Sequence, residues 1–177
     1  MNKPNNYDNV QAASPINQGP KAGPYILGIV NAELKISKSG NEMLVLSVDI
    51  AEGEHRGYFN KLSKKLDKDC SLKYYQLTEG NSTKYFKGTI TSIEHSNNGY
   101  AFNFDEKTLT GKLVGGNLRE EEYYANNGEI KSNLKIAYMF NKNKIDEQKV
   151  LSPKKIDPNL NGNDFNMPDI NDTGLPF

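Results

Sequence analysis

The sequence predicts a mainly β fold: a five-stranded barrel with a helical insertion between its third and fourth strands, an N-terminal arm and an acidic tail. Three observations predict it. Long segments alternate apolar and polar residues at period two. The alternation breaks once, in the middle of the chain, where apolar residues take helical spacing. Turn clusters, Ser37-Lys38-Ser39-Gly40-Asn41 and Ala125-Asn126-Asn127-Gly128, separate consecutive alternating runs.

Residues 1–22 are rich in Asn, Pro, Gln and Ala, with few apolar residues, and read as a flexible arm. Structure is expected from Pro24. The first strand runs to Ile36, with Ile26, Val30, Ala32, Leu34 and Ile36 on one face and Asn31, Glu33 and Lys35 on the other. Glu42 to Ile50 returns with Leu44, Leu46, Val48 and Ile50 inward, making a hairpin. Glu52-Gly53-Glu54 then turns the chain into a third strand, Arg56 to Lys61, so the opening reads as a three-strand meander.

Leu62 and Leu66 have helical spacing within a Lys- and Tyr-rich stretch, which predicts a short helix. Phe86, Ile90 and Ile93 recur at i, i+4 and i+7, which predicts a second over Tyr85 to His95, ended by Asn97-Asn98-Gly99. Tyr100 to Phe104 reads as an extended connector. Leu109 to Tyr124 is the fourth strand, and its glycine pair, Gly115 and Gly116, predicts a bulge or bend. Asn127-Gly128 turns the chain into the fifth strand, Ile130 to Phe140. That strand places Ile130, Leu134, Ile136 and Tyr138 on one face and Lys131, Asn133 and Lys135 on the other. Beyond Ile145 the pattern is lost. Three strands, a helical insertion and a two-strand hairpin is the order of an OB-fold, and the helix between strands three and four favours it over other small barrels. The divisions expected are an arm over 1–22, the OB-fold over 23–145 and a disordered acidic tail over 146–177.

At 177 residues the chain can hold one well-buried domain plus tails, or at most two very small domains, and a hydrophobic share of only 36% fits disordered ends. The formal net charge of zero conceals an asymmetry. Residues 156–177 carry Asp157, Asp164, Asp169 and Asp172 and no Lys or Arg, which leaves 1–155 at +4. Cys70 is the only cysteine, so no internal disulfide forms and no thiol-based metal cluster exists. No signal-like or membrane-spanning run is seen, so a cytoplasmic protein without membrane association is expected.

Single-stranded nucleic acid is held by cations that follow phosphates and by flat rings on which bases stack. Candidate DNA-binding residues are Lys35 and Lys38 on the first hairpin and Arg56, Tyr58 and Lys61 on the expected third strand. Arg119, Tyr123, Lys131 and Lys135 on the second hairpin complete the set. Tyr74-Tyr75 either stacks bases or covers an oligomer interface. Strand aromatics also serve as core, and exposed lysines also guard sheet edges, so each residue competes with a purely structural role. No catalytic constellation assembles. His55 and His95 stand forty apart, Glu120-Glu121-Glu122 alternates faces, and Gly111-Lys112 lacks the rest of a phosphate loop. The chain is expected to be no enzyme and to need no cofactor or metal.

The sequence closes on Asp169-Ile170-Asn171-Asp172-Thr173-Gly174-Leu175-Pro176-Phe177. A ring beside a carboxylate makes a two-part plug for a hydrophobic pocket rimmed by Arg or Lys, and Pro176 lowers the entropy lost on docking. This ending resembles the tips of bacterial and phage single-stranded-DNA-binding proteins. From Gly23 to Ile145 the chain is similar to such proteins of phages and mobile elements of Gram-positive bacteria. The likeness rests on Tyr85-Phe86-Lys87-Gly88 with Ile93-Glu94, on Leu109-Thr110-Gly111-Lys112-Leu113-Val114-Gly115-Gly116, and on Glu122-Tyr123 through Asn127-Gly128-Glu129-Ile130 to Lys135. Thr173-Gly174 departs from the pattern by interrupting the acidic run. The resemblance implies sequence-independent binding of single-stranded DNA in replication, recombination and repair. It also implies recruitment of partner enzymes through Asp169, Asp172, Leu175, Pro176 and Phe177. A recombination or annealing mediator, a protein-interaction module and an RNA-binding OB protein are the alternatives. Small OB-folds often pair, so a homo-oligomer is expected.

Overall fold

A computed structural model describes residues 19–157. The elements follow as β1 (Gly23–Ile36), β2 (Glu42–Ile50), α1 (Tyr58–Leu66), β3 (Leu72–Leu77), α2 (Thr83–Ser96), β4 (Leu113–Tyr124) and β5 (Ile130–Phe140). The strands form one antiparallel sheet in the order β3-β2-β1-β4-β5. The sheet is open: β3 and β5 touch, but no ladder joins them, and α2 contacts both. Ile90 and Ile93 of α2 enter the core that the sheet curves around.

β1 is long enough to serve two partners. Gly23–Gly28 pairs with Leu113–Leu118 of β4, while Leu27–Ile36 pairs with β2. A bulge at Val30, between Ile29 and Asn31, bends the strand between them. The extra residue also resets the alternation. Leu27, Ile29 and Ala32 are buried, whereas Val30, Leu34 and Ile36 are 56%, 45% and 69% exposed. The single apolar face expected from Ile26 to Ile36 is therefore split at the bulge. In β2 the expected Leu44, Leu46, Val48 and Ile50 are core residues, and Val45, Ser47 and Asp49 are buried on the opposite side as well.

The third strand is not Arg56–Lys61. Gly57 takes a left-handed φ of 68° and the chain enters α1 at Tyr58. Asp49 explains why. Its carboxylate accepts the N–H groups of Phe59 at 3.1 Å and Asn60 at 2.8 Å, satisfying donors that a helix start leaves free. Phe59 plugs into the core, and the Leu62/Leu66 spacing read from the sequence belongs to this same helix. The true β3 is Leu72–Leu77, which places Leu72, Tyr74 and Gln76 inward.

The second helix spans Thr83–Ser96, wider than expected but with Ile90 and Ile93 on its buried face. Asn97 ends it and ties it to the next strand: its amide donates to Ile93 O and Leu113 O, both at 2.7 Å, and its oxygen accepts Leu113 N–H at 3.0 Å. Leu109 is buried in a 3-10 turn, so β4 begins four residues later than the pattern implied. Gly115 and Gly116 are not bulged. Side chains cross over them instead: a Cβ at Gly115 would collide with the Phe140 ring, and one at Gly116 with Leu27. The bulge lies one step on, where Asn117 pairs with Tyr138 but Leu118 pairs with Ile136. Ala137 is the unpaired residue, so Tyr138 leaves the side on which Leu134 and Ile136 lie.

Residues 146–157, expected in the tail, lie against the sheet. Lys154 bridges Glu121 in parallel, with Glu122 N–H to Lys154 O at 2.9 Å and Lys154 N–H to Glu120 O at 2.8 Å. This segment takes the β4 edge that β1 has not yet reached. The end of the expected arm is also placed, since Pro20 is buried and Tyr25 donates to Lys21 O at 3.0 Å. The rest of the arm, residues 1–18, and the tail residues 158–177 lie outside the described residues.

Candidate nucleic-acid interface

Directly opposed residues of neighbouring strands share a side of the sheet. Following the registers outward from the core gives the other side residue by residue. Across β1, β2 and β3 it presents three rows: Asn31, Ser47 and Lys73; Glu33, Val45 and Tyr75; Lys35, Met43 and Leu77. Across β4 and β5 the same outward side carries Arg119 opposite Lys135, Glu121 opposite Asn133, and Tyr123 opposite Lys131.

Along β3, Tyr75 lies between Lys73 and Leu77 on this side. Its ring is 48% exposed beside a fully covered Val45. Lys73 is held in place, donating to Ser47 Oγ and to Asp69 Oδ2, both at 2.6 Å. The Lys73 ammonium, with help from the Ser71 hydroxyl and N–H, holds the Asp69 carboxyl well below its ordinary value. Lys35 pairs with Glu33 at 2.7 Å, and that carboxylate raises the lysine's pKa. On the second hairpin Glu121 accepts Arg119 at 2.8 Å and pairs with Lys135 at 3.5 Å. Lys131 pairs with Glu129 at 3.5 Å, and Tyr123 is 37% exposed.

The structure thus places Lys35, Arg119, Tyr123, Lys131 and Lys135 on the same side of the sheet, Lys35 on the first hairpin and the other four together on the second. Lys38 lies beyond them in the β1–β2 turn. Arg56, Tyr58 and Lys61 do not join this side, because their strand is a turn and a helix. Tyr58 packs edge-on against His55 and Phe59, and Lys61 Nζ donates to Arg56 O at 3.3 Å. The five candidate tail residues, Asp169, Asp172, Leu175, Pro176 and Phe177, lie outside the described residues.

Sequence reasoning missed Lys73 and left Tyr74-Tyr75 undivided. The structure divides the pair. Tyr74 turns inward, its hydroxyl near Gln76 and Thr89, with burial raising its pKa. Tyr75 turns outward. The signal was present as the alternation of Leu72, Tyr74 and Gln76, but it was obscured by placing the third strand earlier.

The chemistry on offer is that of a binding face: flat rings, ammonium and guanidinium groups, and carboxylates that partner them. Among the described residues no group of three His, Cys, Asp or Glu could hold a metal ion. No helix among them is long and apolar enough to cross a membrane.

A family described as "Protein of unknown function (DUF669)" matches residues 3–66, which include β1, β2 and α1. No curated protein matches the chain.

Proposed function

We propose that the chain is an OB-type protein that binds single-stranded DNA without sequence preference and acts where strands are exposed in replication or recombination. The strand order β3-β2-β1-β4-β5, a first strand shared between β2 and β4, and a helix between β3 and β4 support the OB topology, with α2 filling the gap between β3 and β5.

The observation that carries the reading is the outward Tyr75 on β3, with Lys73 in the row on one side of it and Lys35, on β1, in the row on the other. Tyr123 and Lys131 extend the same side onto the second hairpin. Rings supply sequence-tolerant stacking and the cations follow phosphates, the two contributions that single-strand binding requires. In this reading Leu175-Pro176-Phe177, with Asp169 and Asp172, dock onto replication or recombination proteins.

The test is a titration of oligo-dT of increasing length, against duplex of matched length, at two salt concentrations. Length-dependent, salt-sensitive binding that favours the single strand is expected. Equal affinity for duplex, or no binding, would overturn the proposal. Oligo-rU in the same series separates a DNA binder from an RNA binder.

A further inference from the structure

Positive charge is not spread evenly over the chain. Residues 56–68 carry Arg56, Lys61, Lys64, Lys65 and Lys68 against Asp67 alone, a net charge of +4. That equals the whole excess of residues 1–155, so the rest of that stretch sums to zero. The structure puts this charge on α1 and its two ends. Lys61, Lys64 and Lys65 stand at i, i+3 and i+4 and share one face of the helix. The buried Phe59 and the half-buried Leu62 and Ser63 take the opposite face, and Lys68 follows directly after the Asp67 cap.

All four lysines are exposed. Among the described residues neither they nor Arg56 pair with a carboxylate, and Glu52 and Glu54, in the turn before Arg56, make no ion pair with them. The outward side of the sheet is the reverse case, since Lys35, Lys73, Arg119, Lys131 and Lys135 each have a carboxylate partner. α1 borders that side. Asp49, two residues beyond Ser47 on the same side of β2, holds the first turn through the N–H groups of Phe59 and Asn60. Past the last turn, Asp69 accepts Lys73 at 2.6 Å. A strand lying along Tyr75 and Lys73 therefore comes next to α1.

We propose that α1 is a binding site for the phosphate backbone of double-stranded DNA, which directs the protein to junctions where a single strand meets duplex. Two features favour duplex over a further length of single strand. The first is that no stacking ring accompanies the lysines. Phe59 is buried, and Tyr58 packs edge-on against both Phe59 and His55. The helix thus attracts phosphates and offers bases nothing, and that attraction grows with charge density. Duplex carries one charge per about 1.7 Å of its axis, and each neutralised phosphate adds about 0.9 to its salt slope against about 0.7 for a single strand. The second is rigidity. Lysines on a helix whose start is fixed by Asp49 meet a stiff duplex without the ordering cost that a flexible strand incurs.

The single-strand half of a junction rests on the function proposed above; the α1 site does not. Fluorescence anisotropy of the full chain at low salt compares an oligo-dT tail, a blunt duplex and the same duplex carrying that tail. The tailed duplex is expected to bind about tenfold tighter than the tail alone, and the advantage should shrink as salt rises. Lys64→Gln combined with Lys65→Gln should erase the advantage and lower the salt slope for the tailed duplex by about 1.8, leaving oligo-dT affinity within about twofold. Gln has a helix propensity close to that of Lys, and a melt of each variant checks that the fold is retained. K64R/K65R keeps the charge and should keep the advantage.

A tailed duplex that binds no tighter than its tail would overturn the proposal, as would an advantage unchanged in K64Q/K65Q. So would lysines that hold the chain on phosphatidylserine vesicles and leave duplex affinity alone, since that result gives the helix to a lipid surface. A chain that ignores the dT tail but loses duplex binding in K64Q/K65Q would keep the α1 site and remove the single-strand reading.

Discussion

Replacing Tyr75 with Ala is the most direct probe of the outward face. Tyr75 is about half exposed at the edge-strand end of its row, between Val45 and solvent, and its hydroxyl makes no hydrogen bond to another described residue. A base stacked on it contributes about 1–3 kcal/mol, so Y75A should weaken oligo-dT binding by roughly 5- to 150-fold at fixed salt. Tyr75→Phe keeps the ring and should stay within about twofold.

The substitution also uncovers part of Val45, a cost of about 0.5–1 kcal/mol on the area involved. That cost shows in a thermal melt and is small enough to leave the fold populated. Because the ring is uncharged, the salt slope of Y75A should match the parent, and only the intercept should fall. Fluorescence anisotropy with a labelled oligo-dT, repeated at several salt concentrations, measures both. Affinity unchanged in a folded Y75A variant, or a lost salt slope, would refute stacking at this position.

Four further outcomes follow from the same coordinates. Lys73→Ala should lower the salt slope for single strands by about 0.7, the value of one neutralised phosphate, with little change in the intercept attributable to stacking. Asp69→Asn releases Lys73 from its carboxylate partner and should strengthen binding by about two- to threefold, by removing an exposed ion pair that phosphate must displace. The Asp69 carboxyl is held below its ordinary 3.8, so whatever it adds to stability is complete above about pH 4 and is lost only as pH falls through the folded value. Asp69→Asn should therefore lower the melting temperature slightly at neutral pH, where the carboxylate's contribution is present, and converge on the parent at the acid end of the profile. Asp49→Ala strands the N–H groups of Ile50, Phe59 and Asn60, and should cost about 2 kcal/mol, or roughly 4–8 °C in Tm by calorimetry.

The strands that alternate strictly were legible in the sequence, and the local exceptions were not. β2 and β5 have the predicted bounds, Glu42–Ile50 and Ile130–Phe140, although β2 is buried on both sides and β5 carries a bulge. Val30 and Ala137 each add one unpaired residue, and nothing in their identity distinguishes a bulge from a continued strand. Arg56 to Lys61 misled for a different reason. Its Tyr-Phe pair has strand propensity, but the choice is made ten residues away by the Asp49 carboxylate, a tertiary contact that overrides local preference. The glycine pair at 115–116 was noticed correctly and explained wrongly. The need is for room under Phe140 and Leu27, which depends on the partners that topology supplies.

The candidate site followed the same division. Residues on strands read in register, Lys35, Arg119, Tyr123, Lys131 and Lys135, lie on the same side of the sheet. Those on the misplaced strand did not, and Lys73 was missed with them.

The ion pairs on that side sort its cations by role. Every outward Lys and Arg of the candidate face has a carboxylate partner, so a phosphate backbone gains contacts only by displacing carboxylates. Exposed pairs contribute about 0–1 kcal/mol and exchange partners readily. Lys35 with Glu33, and Lys131 with Glu129, are of this kind, their side chains 39–64% exposed.

Arg119 is different. It is 25% exposed, its partner Glu121 only 16%, and that carboxylate also holds Lys135, while Arg119 Nε is buried without a hydrogen bond. Breaking that pair leaves charge in a partly dry setting and costs more than a surface phosphate returns. Arg119 therefore acts as a brace for the strand that carries Tyr123, Lys35 and Lys131 are the cations free to trade partners, and Lys73, held by Ser47 and Asp69, trades its exposed carboxylate partner less readily. Arg119→Ala should lower Tm and leave the salt slope close to the parent value. Lys131→Ala should do the reverse, and the pair of measurements separates the brace from the contact.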